Sequence, residues 1–395
     1  MAQPGIPSTL RLLNAERILS VLLASGVGGR SRAEIARATG LSKPTVSALV
    51  AELEEAELIG PVGSNRSGPV GRPGTPYAVV PHAGFVLAVD IGASTIILGI
   101  ADLTGIIRAE RELATGPDAE TALGQVVTAA QTLQDEIGCT VATACAGVPG
   151  VYRQEEGVID ESLNLPGLDG MRVADRLQDA LGVEVHVDND VNLAAVGEAS
   201  AIPGRECRNF VAISVGRGIG AGLVLDGELF RGSTDAAGEI GALAVTDRRL
   251  ADGAAQTLEE VASGPGIQRN FRHALANGGG SALDASSSAR EILAAAQAGD
   301  PTAVAALDIA ADAMALAVAQ TSLLLNPEQI VFGGDTGANH IYVDAIDAAL
   351  DRYTSKPVNL VASTLGHRAT FVGATVHAVD TLQGSIVRQR LGNDG

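Results

Sequence analysis

The N-terminal part of the chain has the apolar spacing of helices. Between residues 14 and 59, apolar side chains recur every three or four positions, which places them on one face of a helix. The pattern predicts three short helices, the first at 14–24. From Phe85 onwards, apolar runs separated by glycine turns predict strands instead. We therefore expect a helical head joined to an α/β body.

The second and third predicted helices have clear end signals. Ser31 with Glu34 three residues later forms a capping box, and Gly40 supplies the left-handed residue that ends the second helix. Ser42 caps the third helix, and Pro44 stands in its first turn, where a missing N–H costs nothing. The two helices are therefore separated by a glycine turn.

The spacing within these two helices predicts a helix-turn-helix. Ala36 is small where the helices touch, Gly40 forms the turn, and the β-branched Val46 locks the second helix onto the first. An ordinary helical hairpin, with Lys43 merely solvating a helix start, is the alternative. In the DNA-binding interpretation the third helix enters a major groove. The candidate DNA-binding residues of this helical part are Arg32, Ser42, Lys43, Thr45 and Ser47.

A glycine-rich segment after residue 59 predicts a wing. Gly, Pro, Ser and Asn dominate up to residue 74, and Tyr77–Val80 is a predicted strand. The tip holds a Gly-Arg-Pro tripeptide, in which Arg72 presents one guanidinium with little backbone bulk. Such a shape suits a narrow, A·T-rich minor groove, with Arg66 on phosphate. A flexible interdomain linker is the alternative.

The α/β body contains one pattern twice. Strand, glycine turn, strand, turn and strand occupy residues 85–111 and again residues 209–231. This duplication predicts two lobes with a ligand cleft between them. The glycine turns at 92–95 and 216–220 can wrap a phosphate with backbone N–H groups, although such turns also simply close hairpins.

Charge separates the head from the body. The chain has a net charge of −19, yet residues 1–82 carry eight Arg or Lys and six Asp or Glu. The head is therefore slightly basic and the body strongly acidic, which fits a small DNA reader on a body that phosphate repels.

Cysteine use and hydropathy predict a cytoplasmic protein without a membrane partner. The apolar stretch 18–29 follows Arg17 like a signal peptide, but Glu16 lies in its flank and it continues into the helical pattern. Ala303–Leu325 carries Asp308 and Asp312 on one face, which predicts a buried amphipathic helix rather than a membrane span. Three unclustered cysteines indicate free thiols in a reducing compartment, namely Cys139, Cys145 and Cys207.

Short motifs along the body occur in a characteristic order. They are DIGAST (90–95), GVPG (147–150), NLPG (164–167), DNDVN (188–192), GRGIGAG (216–222), AGEIG (237–241) and NPEQIVFGG (326–334). In this order the chain resembles the ROK family, which holds sugar kinases and sugar-responsive repressors on an actin-like ATPase fold. With the N-terminal winged helix, it is similar to the repressor branch, such as the repressors for xylose or N-acetylglucosamine.

The resemblance implies a fold and a domain plan. A winged helix-turn-helix is joined to a two-lobed, actin-like, sugar-kinase-like α/β fold. The expected domains are the DNA-binding unit at 1–82, a first lobe at 83–190 and a second lobe at 191–395. The C-terminal helix is expected to pack back on the first lobe.

The resemblance also implies ligand-binding residues. Asp190 would be the general base in a kinase member, where a carboxylate deprotonates the attacking hydroxyl. Capping of an apolar helix at 193–196 is the alternative role for Asp190. The residues expected to bind a sugar are Asn164, Asn189, Asp190, Glu239 and Glu259.

The implied nucleotide site departs from the kinase pattern. Thr95 stands where kinases have Lys, and Arg217 stands where they have Thr. The guanidinium of Arg217 would occupy the phosphate space or bind an anionic ligand. We therefore expect a degenerate site, built from Asp90, Gly92, Ser94, Thr95, Gly216, Arg217, Gly218, Gly333 and Gly334.

The family zinc motif is also missing from the sequence. Ala242 replaces the usual His, and Leu250, Asp252 and Thr257 replace the cysteines. Without thiolates or imidazole a tetrahedral zinc site cannot form there, so we expect neither a metal nor another cofactor.

These features predict a regulator without kinase activity. We expect a repressor that is a homodimer or a dimer of dimers, binds a palindromic double-stranded operator, and responds to a small-molecule effector. One alternative is an active sugar kinase that also binds DNA, which the retained Asp90 and Asp190 favour. Another is a regulator whose effector is not a sugar.

Overall fold

A computed structural model describes residues 8–62, 75–162, 165–202, 207–246 and 256–392 of the protein. Five residues named above lie outside these ranges: Arg66 and Arg72 of the wing, Asn164 of the ligand set, and Leu250 and Asp252 of the former zinc motif.

Three helices and a small antiparallel sheet form the N-terminal unit. The helices are α1 (Ser8–Leu23), α2 (Arg32–Thr39) and α3 (Lys43–Glu55). The strands are β1 (Arg30–Ser31), β2 (Ile59–Pro61) and β3 (Pro76–Val79), in the order β1-β3-β2. The helices pack on one another through fully buried apolar side chains, which include Ile35, Val46 and Leu53.

The predicted ends of α2 and α3 are confirmed. Ser31 and Glu34 form the capping box, Gly40 has a φ of 69°, and the Ser42 side chain accepts a hydrogen bond from the backbone N–H of Thr45. The predicted start of α1 at residue 14 is wrong, because the helix begins at Ser8. Leu10 and Leu13 are about half exposed, so the first turns break the apolar spacing on which the prediction rested.

The first lobe is built on a five-stranded sheet. Its strands are β4 (Phe85–Ile91), β5 (Thr95–Asp102), β6 (Ile107–Ala114), β7 (Thr143–Val148) and β10 (Glu184–Asn189), in the order β10-β7-β4-β5-β6. The hairpin β8 (Val151–Arg153) and β9 (Val158–Asp160) and the helices α4 (Ala119–Ile137) and α5 (Val173–Leu181) complete it.

The second lobe has a sheet of the same design. Its strands are β11 (Phe210–Val215), β12 (Ile219–Leu225), β13 (Glu228–Phe230), β16 (Gln329–Gly333) and β17 (Leu360–Ala362), in the order β13-β12-β11-β16-β17. In each sheet three antiparallel strands are followed by two parallel ones. The repeated strand pattern predicted from the sequence is therefore confirmed.

Short strands and six helices surround the second sheet. The strands are β14 (Ala244–Val245) and β15 (Gln256–Thr257). The helices are α7 (Leu258–Ala262), α8 (Gly264–Ala276), α9 (Ala289–Gln297), α10 (Pro301–Leu325), α11 (Gly334–Gly337) and α12 (His340–Leu350). Of the described helices, α10 alone is long and apolar enough to cross a membrane, but 78% of its most apolar window is buried inside the protein. Burial of this kind is what the core helix of a lobe requires.

Two further helices lie between the sheets, α6 (Asp190–Ala201) and α13 (Ala369–Leu391). Helix α6 packs on β11 and β12, whereas α13 packs on β4 and β7, so the C-terminal helix returns to the first lobe. Glycines let the two helices touch: a Cβ on Gly373 would lie 1.7 Å from the carbonyl oxygen of Leu193, and one on Gly197 would lie 2.3 Å from that of Ala369.

The N-terminal unit and the first lobe share one hydrophobic core. Ile18 and Leu22 of α1 belong to the same buried cluster as Val86 of β4 and as Val387 and Leu391 of α13. The N-terminal unit is therefore not an independently packed domain, because its hydrophobic core continues into the C-terminal helix.

Candidate functional site

A cleft of about 920 Å³ opens between the two lobes. All the described residues that the sequence predicted for ligand and nucleotide binding line it. These are Asn189, Asp190, Glu239 and Glu259 on the ligand side, and Asp90, Gly92, Ser94, Thr95, Gly216, Arg217, Gly218, Gly333 and Gly334 on the nucleotide side. The duplicated topology thus brings residues far apart in the chain to one surface.

The first glycine turn is tightly constrained. Asp90 is the next-to-last residue of β4, and the backbone N–H of Gly92 donates to the carbonyl of Thr95 at 2.9 Å. A Cβ at Gly92 would approach that carbonyl oxygen to 2.8 Å, so no other residue fits without moving the strand. The Thr115 hydroxyl donates to the carbonyl of Gly92 at 2.7 Å and holds the turn from outside.

The second glycine turn is held by a carboxylate. Glu259 Oε2 accepts a hydrogen bond from the backbone N–H of Ile219 at 2.9 Å, and the Gly216 N–H donates to the Gly218 carbonyl at 3.0 Å. One oxygen of Glu259 therefore supports the turn, which leaves the other for a ligand. Arg217 is exposed at this turn, and within the described parts of the chain its guanidinium has neither a hydrogen bond nor an ion pair.

The first turn of α6 places two of the predicted ligand residues. Asn189 caps the helix, since its Oδ1 accepts from the N–H groups of Val191 and Asn192 at 2.8 and 3.0 Å. Its Nδ2 donates to the Gly150 carbonyl at 2.8 Å. The capping role considered for Asp190 therefore belongs to Asn189, and the predicted helix start at 193 is wrong because α6 begins at Asp190.

Asp190 and Asp90 face each other as carboxyls with unusual acidities. Burial, together with the charge of Glu239, raises the pKa of Asp190 to about 6, although a backbone N–H of Val191 works against this. Burial and the nearby Asp190 raise the pKa of Asp90 well above its usual range. Two such carboxyls can present both a proton donor and an acceptor to a hydroxyl near neutral pH.

The open side of the cleft is also acidic. Desolvation, together with the carboxylates of Glu161 and Glu259, raises the pKa of Glu239. Glu198 is buried, and its pKa is raised by that burial although the Ser363 hydroxyl donates to it. Further acids missed by the sequence analysis line the same surface: Glu112, Glu161, Glu198, Asp235, Glu260 and Asp335. Most lie outside the short motifs, so nothing in their spacing singled them out.

The former zinc position lies at the edge of this cleft. Ala242 lines the cleft, and Thr257 caps α7, accepting from the N–H of Glu260. Within the described ranges no three His, Cys, Asp or Glu side chains are arranged to hold a metal ion. Residues 247–255 lie outside those ranges, so the absence of zinc stays a prediction. Elemental analysis of purified protein tests it, and one zinc per chain would contradict it.

The candidate DNA-reading helix presents a free N-terminal face. Lys43 and Ser47 are exposed on α3, while Ser42 and Thr45 share a hydroxyl hydrogen bond of 2.8 Å within the cap. The acids of α3 stand in its last two turns, away from Lys43. The positive end of the helix dipole and the charge of Lys43 therefore lie together at the N-terminus of α3. This arrangement suits a phosphate-lined groove.

Arg32 joins the helices to the wing sheet. Its Nη2 donates to the Tyr77 hydroxyl at 3.0 Å, and its guanidinium lies 5.2 Å from the centre of the Tyr77 ring. Because Tyr77 belongs to β3, the predicted DNA-binding residue Arg32 also fixes the base of the wing.

Helix α13 connects the cleft to the N-terminal unit. At its beginning, the Thr370 hydroxyl donates to the carbonyl of Asp190 at 3.0 Å. At its end, Arg11 Nη2 donates to the Leu391 carbonyl at 2.9 Å, and Arg388 pairs with Glu16 at 2.8 Å. With 23 residues, α13 spans roughly 35 Å between these two sets of contacts.

The fold and cleft define a class of protein, in which a winged helix-turn-helix is joined to an actin-like, sugar-kinase-like body. Residues 17–66 match the model of the MarR family, and residues 86–380 match the model of the ROK family. The protein belongs to the ROK family.

Relatives include both regulators and kinases. A xylose repressor of Caldicellulosiruptor bescii is 27% identical over 83% of this chain and 84% of that protein. A glucokinase of Halalkalibacterium halodurans is 34% identical over 48% of this chain, and the alignment spans 59% of that enzyme's length.

One solved structure shares the fold of nearly the whole chain, and another shares the fold of about three quarters of it. A ROK family transcriptional regulator, a homologue of the E. coli MLC protein, has a TM-score of 0.78 over 97% of this chain and 99% of that one. Its identity of 23% makes this a likeness of fold. A Streptomyces griseus ROK glucokinase in complex with glucose and AMPPNP has a TM-score of 0.64 and 25% identity over 75% of this chain and 100% of that chain.

Proposed function

We propose that the protein is a DNA-binding transcriptional repressor whose affinity for its operator is set by a sugar or sugar derivative in the interlobe cleft. The observation that carries the proposal is the path of α13. Its first turn contacts Asp190 in the cleft, and its last turns are buried against α1. A ligand that shifts α6 and α13 therefore changes the support of the helix-turn-helix.

The acidic cleft supports a role in binding rather than phosphoryl transfer. Such transfer depends on positioning and charge stabilisation of the phosphates. Here the lining acids include Asp90, Asp190, Glu198 and Glu239, while Arg217 stands in the turn where a kinase offers a hydroxyl. We infer that Asp190 serves as a ligand for a hydroxyl without performing chemistry.

Kinase activity is the second candidate function. It is favoured by the placement of Asp90 and Asp190 in one cleft and by the similarity to glucokinases. Robust sugar-dependent ATP hydrolysis that is lost in Asp190→Asn would replace the repressor proposal with this one.

Operator binding tests the proposal directly. DNA fragments selected by the unmodified protein from a random library serve as the operator in gel-shift titrations. Lys43→Ala should weaken binding, while Lys356→Ala, which changes the only other lysine of the chain, should not. Arg72→Ala should cost about 1–3 kcal/mol and relax the preference for A·T steps.

The same titration tests effector control. D-glucose, D-xylose and N-acetylglucosamine are added to the protein–operator complex, and the operator affinity is measured again. A sugar that changes operator affinity in the unmodified protein but not in Asp190→Asn supports the proposal. Failure to select any DNA, or operator affinity unchanged by Lys43→Ala and Arg72→Ala, would overturn the DNA-binding assignment.

A further inference from the structure

Residues 231–237 of the second lobe reach across the mouth of the cleft. This segment follows β13 and ends two residues before Glu239, and both Asp235 and Ala237 line the cleft. It makes polar contacts with two separate elements of the first lobe, the strand β10 and the β8–β9 hairpin. A single short segment therefore joins the lobes at two points.

The first point of contact is an ion pair with a buried carboxylate. Arg231 donates from Nε and Nη2 to Asp188 Oδ2 at 3.0 and 2.5 Å. The Asp188 side chain is 6% exposed, so removing its partner would leave a nearly buried charge uncompensated. Such a pair contributes little net stability, but separating its two side chains is costly because one charge then stays buried without a partner.

Asp188 also forms hydrogen bonds with residues on the ligand side of the cleft. Its Oδ1 accepts from the backbone N–H of Asn189 at 2.8 Å and from Asn192 Nδ2 at 2.9 Å. Asn189 is the N-cap of α6 and Asn192 lies in its first turn, which carries Asp190. Arg231 thus holds, through one carboxylate, the turn that aims Asp190 into the cleft.

The second point of contact is with the hairpin of the first lobe. Asp235 Oδ2 accepts from the backbone N–H of Gln154 at 3.0 Å, and Arg153 donates to the carbonyl of Thr234. Asp235 has a φ of 56° and Gly232 a φ of 78°. A non-glycine residue keeps a left-handed backbone only where surrounding contacts hold it. Here these contacts are the two bonds to the other lobe and, within the segment, the N–H of Ala237 donating to the Arg231 carbonyl at 3.0 Å.

We propose that residues 231–237 form an interlobe clasp, in which Arg231 is a positioning residue for Asp190. The clasp closes the mouth of the cleft and fixes the first turn of α6 at the same time. Cleft closure and the orientation of the Asp190 carboxylate therefore occur together. Helix α13 responds to both through the hydrogen bond from the Thr370 hydroxyl to the Asp190 carbonyl. The inference rests on the proposed function only for the identity of the ligand.

Hydrogen exchange of backbone amides tests the clasp in the full-length protein without any ligand. Arg231→Met keeps the stem of the side chain and removes the charge. We expect exchange at Gln154 and at Asn192 to become at least tenfold faster, because the two contacts open together. Arg231→Lys should restore part of the protection, since it returns the charge without the paired donors. Arg208→Met is the matched control, because Arg208 of the same lobe contacts Asp226 instead, donating to its carbonyl at 2.8 Å and pairing with its carboxylate at 4.0 Å, and it should leave both amides unchanged.

The location of the change decides between a clasp and a local structural role. Faster exchange at Asn192 alone, with Gln154 unchanged, would overturn the clasp, and so would no change at either amide. Should Arg231→Met fail to fold, Asp235→Asn, which weakens the acceptor for Gln154, must speed exchange at Asn192 as well as at Gln154 for the proposal to stand.

Calorimetry with D-glucose as the probe adds a binding measurement. Arg231→Met should weaken glucose binding at least tenfold, and Arg231→Lys less. If the unmodified protein binds no glucose, the proposed sugar specificity is affected, while amide exchange still decides the clasp. Glucose binding unchanged in Arg231→Met would overturn the positioning role.

Discussion

The two lobes share one strand order but differ in their glycine turns. In the first lobe, Gly92 packs against a backbone carbonyl so closely that a Cβ cannot be added, and Asp90 stands at its base. In the second lobe, a Cβ at Gly216 would meet no atom within 4 Å, and the turn carries the exposed side chain of Arg217. Each turn is also held from outside, the first by the Thr115 hydroxyl and the second by Glu259, so the two turns differ in the room around their glycines.

This difference separates what topology determines from what side chains determine. The duplicated sheets bring both turns to one cleft whatever the residues in the turns. Whether that cleft can hold and activate a nucleotide depends on a few positions, of which Arg217 is the most conspicuous. A kinase-like fold therefore does not by itself imply a kinase.

The largest expected effect comes from adding a methyl group to each turn. Gly92→Ala should lower the free energy of unfolding by about 2–3 kcal/mol, because its Cβ overlaps the Thr95 carbonyl. Gly216→Ala should change it by only about 0.5 kcal/mol. Urea denaturation of the two variants measures the contrast. Equal losses would mean that the two turns are constrained alike.

A smaller effect is expected from the buried carboxyl between the turns. The raised pKa of Asp190, about 6, means that the folded state holds its proton where the unfolded state has lost it. Stability from this group is present below the unfolded pKa of about 4 and is lost as the pH rises through 6. Asp190→Asn should therefore stabilise the protein by about 1–2 kcal/mol at pH 7.5, and the gain should vanish near pH 4.

Thermal unfolding across that pH range measures this prediction. Asp308→Asn, at an exposed carboxylate of α10, is the matched control for the substitution itself. If the stability difference between Asp190→Asn and the unmodified protein were the same at all pH values, the raised pKa of Asp190 would be contradicted.

The smallest expected effect is on nucleotide affinity, and it concerns Arg217 of the second turn. The unmodified protein should show no appreciable sugar-dependent ATP hydrolysis. Arg217→Thr should raise nucleotide affinity about tenfold, or ~1.4 kcal/mol, because the guanidinium leaves the phosphate space. Fluorescent nucleotide titration measures the affinity, with the exposed Arg272→Thr of α8 as control. Weaker nucleotide binding in Arg217→Thr would show that the arginine binds the phosphates instead of blocking them.

Local signals in the sequence predicted the local structure well. The caps at Ser31 and Ser42 and the turn at Gly40 appear as predicted, because each depends on residues within one turn of the chain. The strands on both sides of the two glycine turns were predicted to within a few residues for the same reason. The described residues that the motifs predicted for ligand and nucleotide binding also line one cleft.

Long-range partners could not be predicted from the sequence. Asn189 lines the cleft, and its sugar binding stays a prediction; the sequence did not show that its side chain also caps α6 and bonds Gly150, 39 residues away in the chain. Arg231 pairs with Asp188 across 43 residues and between two lobes, and no spacing rule reports such a contact. The start of α6 was misplaced because Asn and Asp also form turns, and only the folded backbone shows which role they take.

The shared core of the N-terminal unit has a consequence for synthesis of the protein. Ile18 and Leu22 emerge from the ribosome early, whereas Val387 and Leu391, which cover them, emerge about 365 residues later. At a typical elongation rate the helices of the DNA reader wait on the order of tens of seconds for their final packing partner. Through that interval the apolar face of α1 has no cover from α13. The order of translation thus separates the synthesis of the DNA reader from the synthesis of the helix that completes its core.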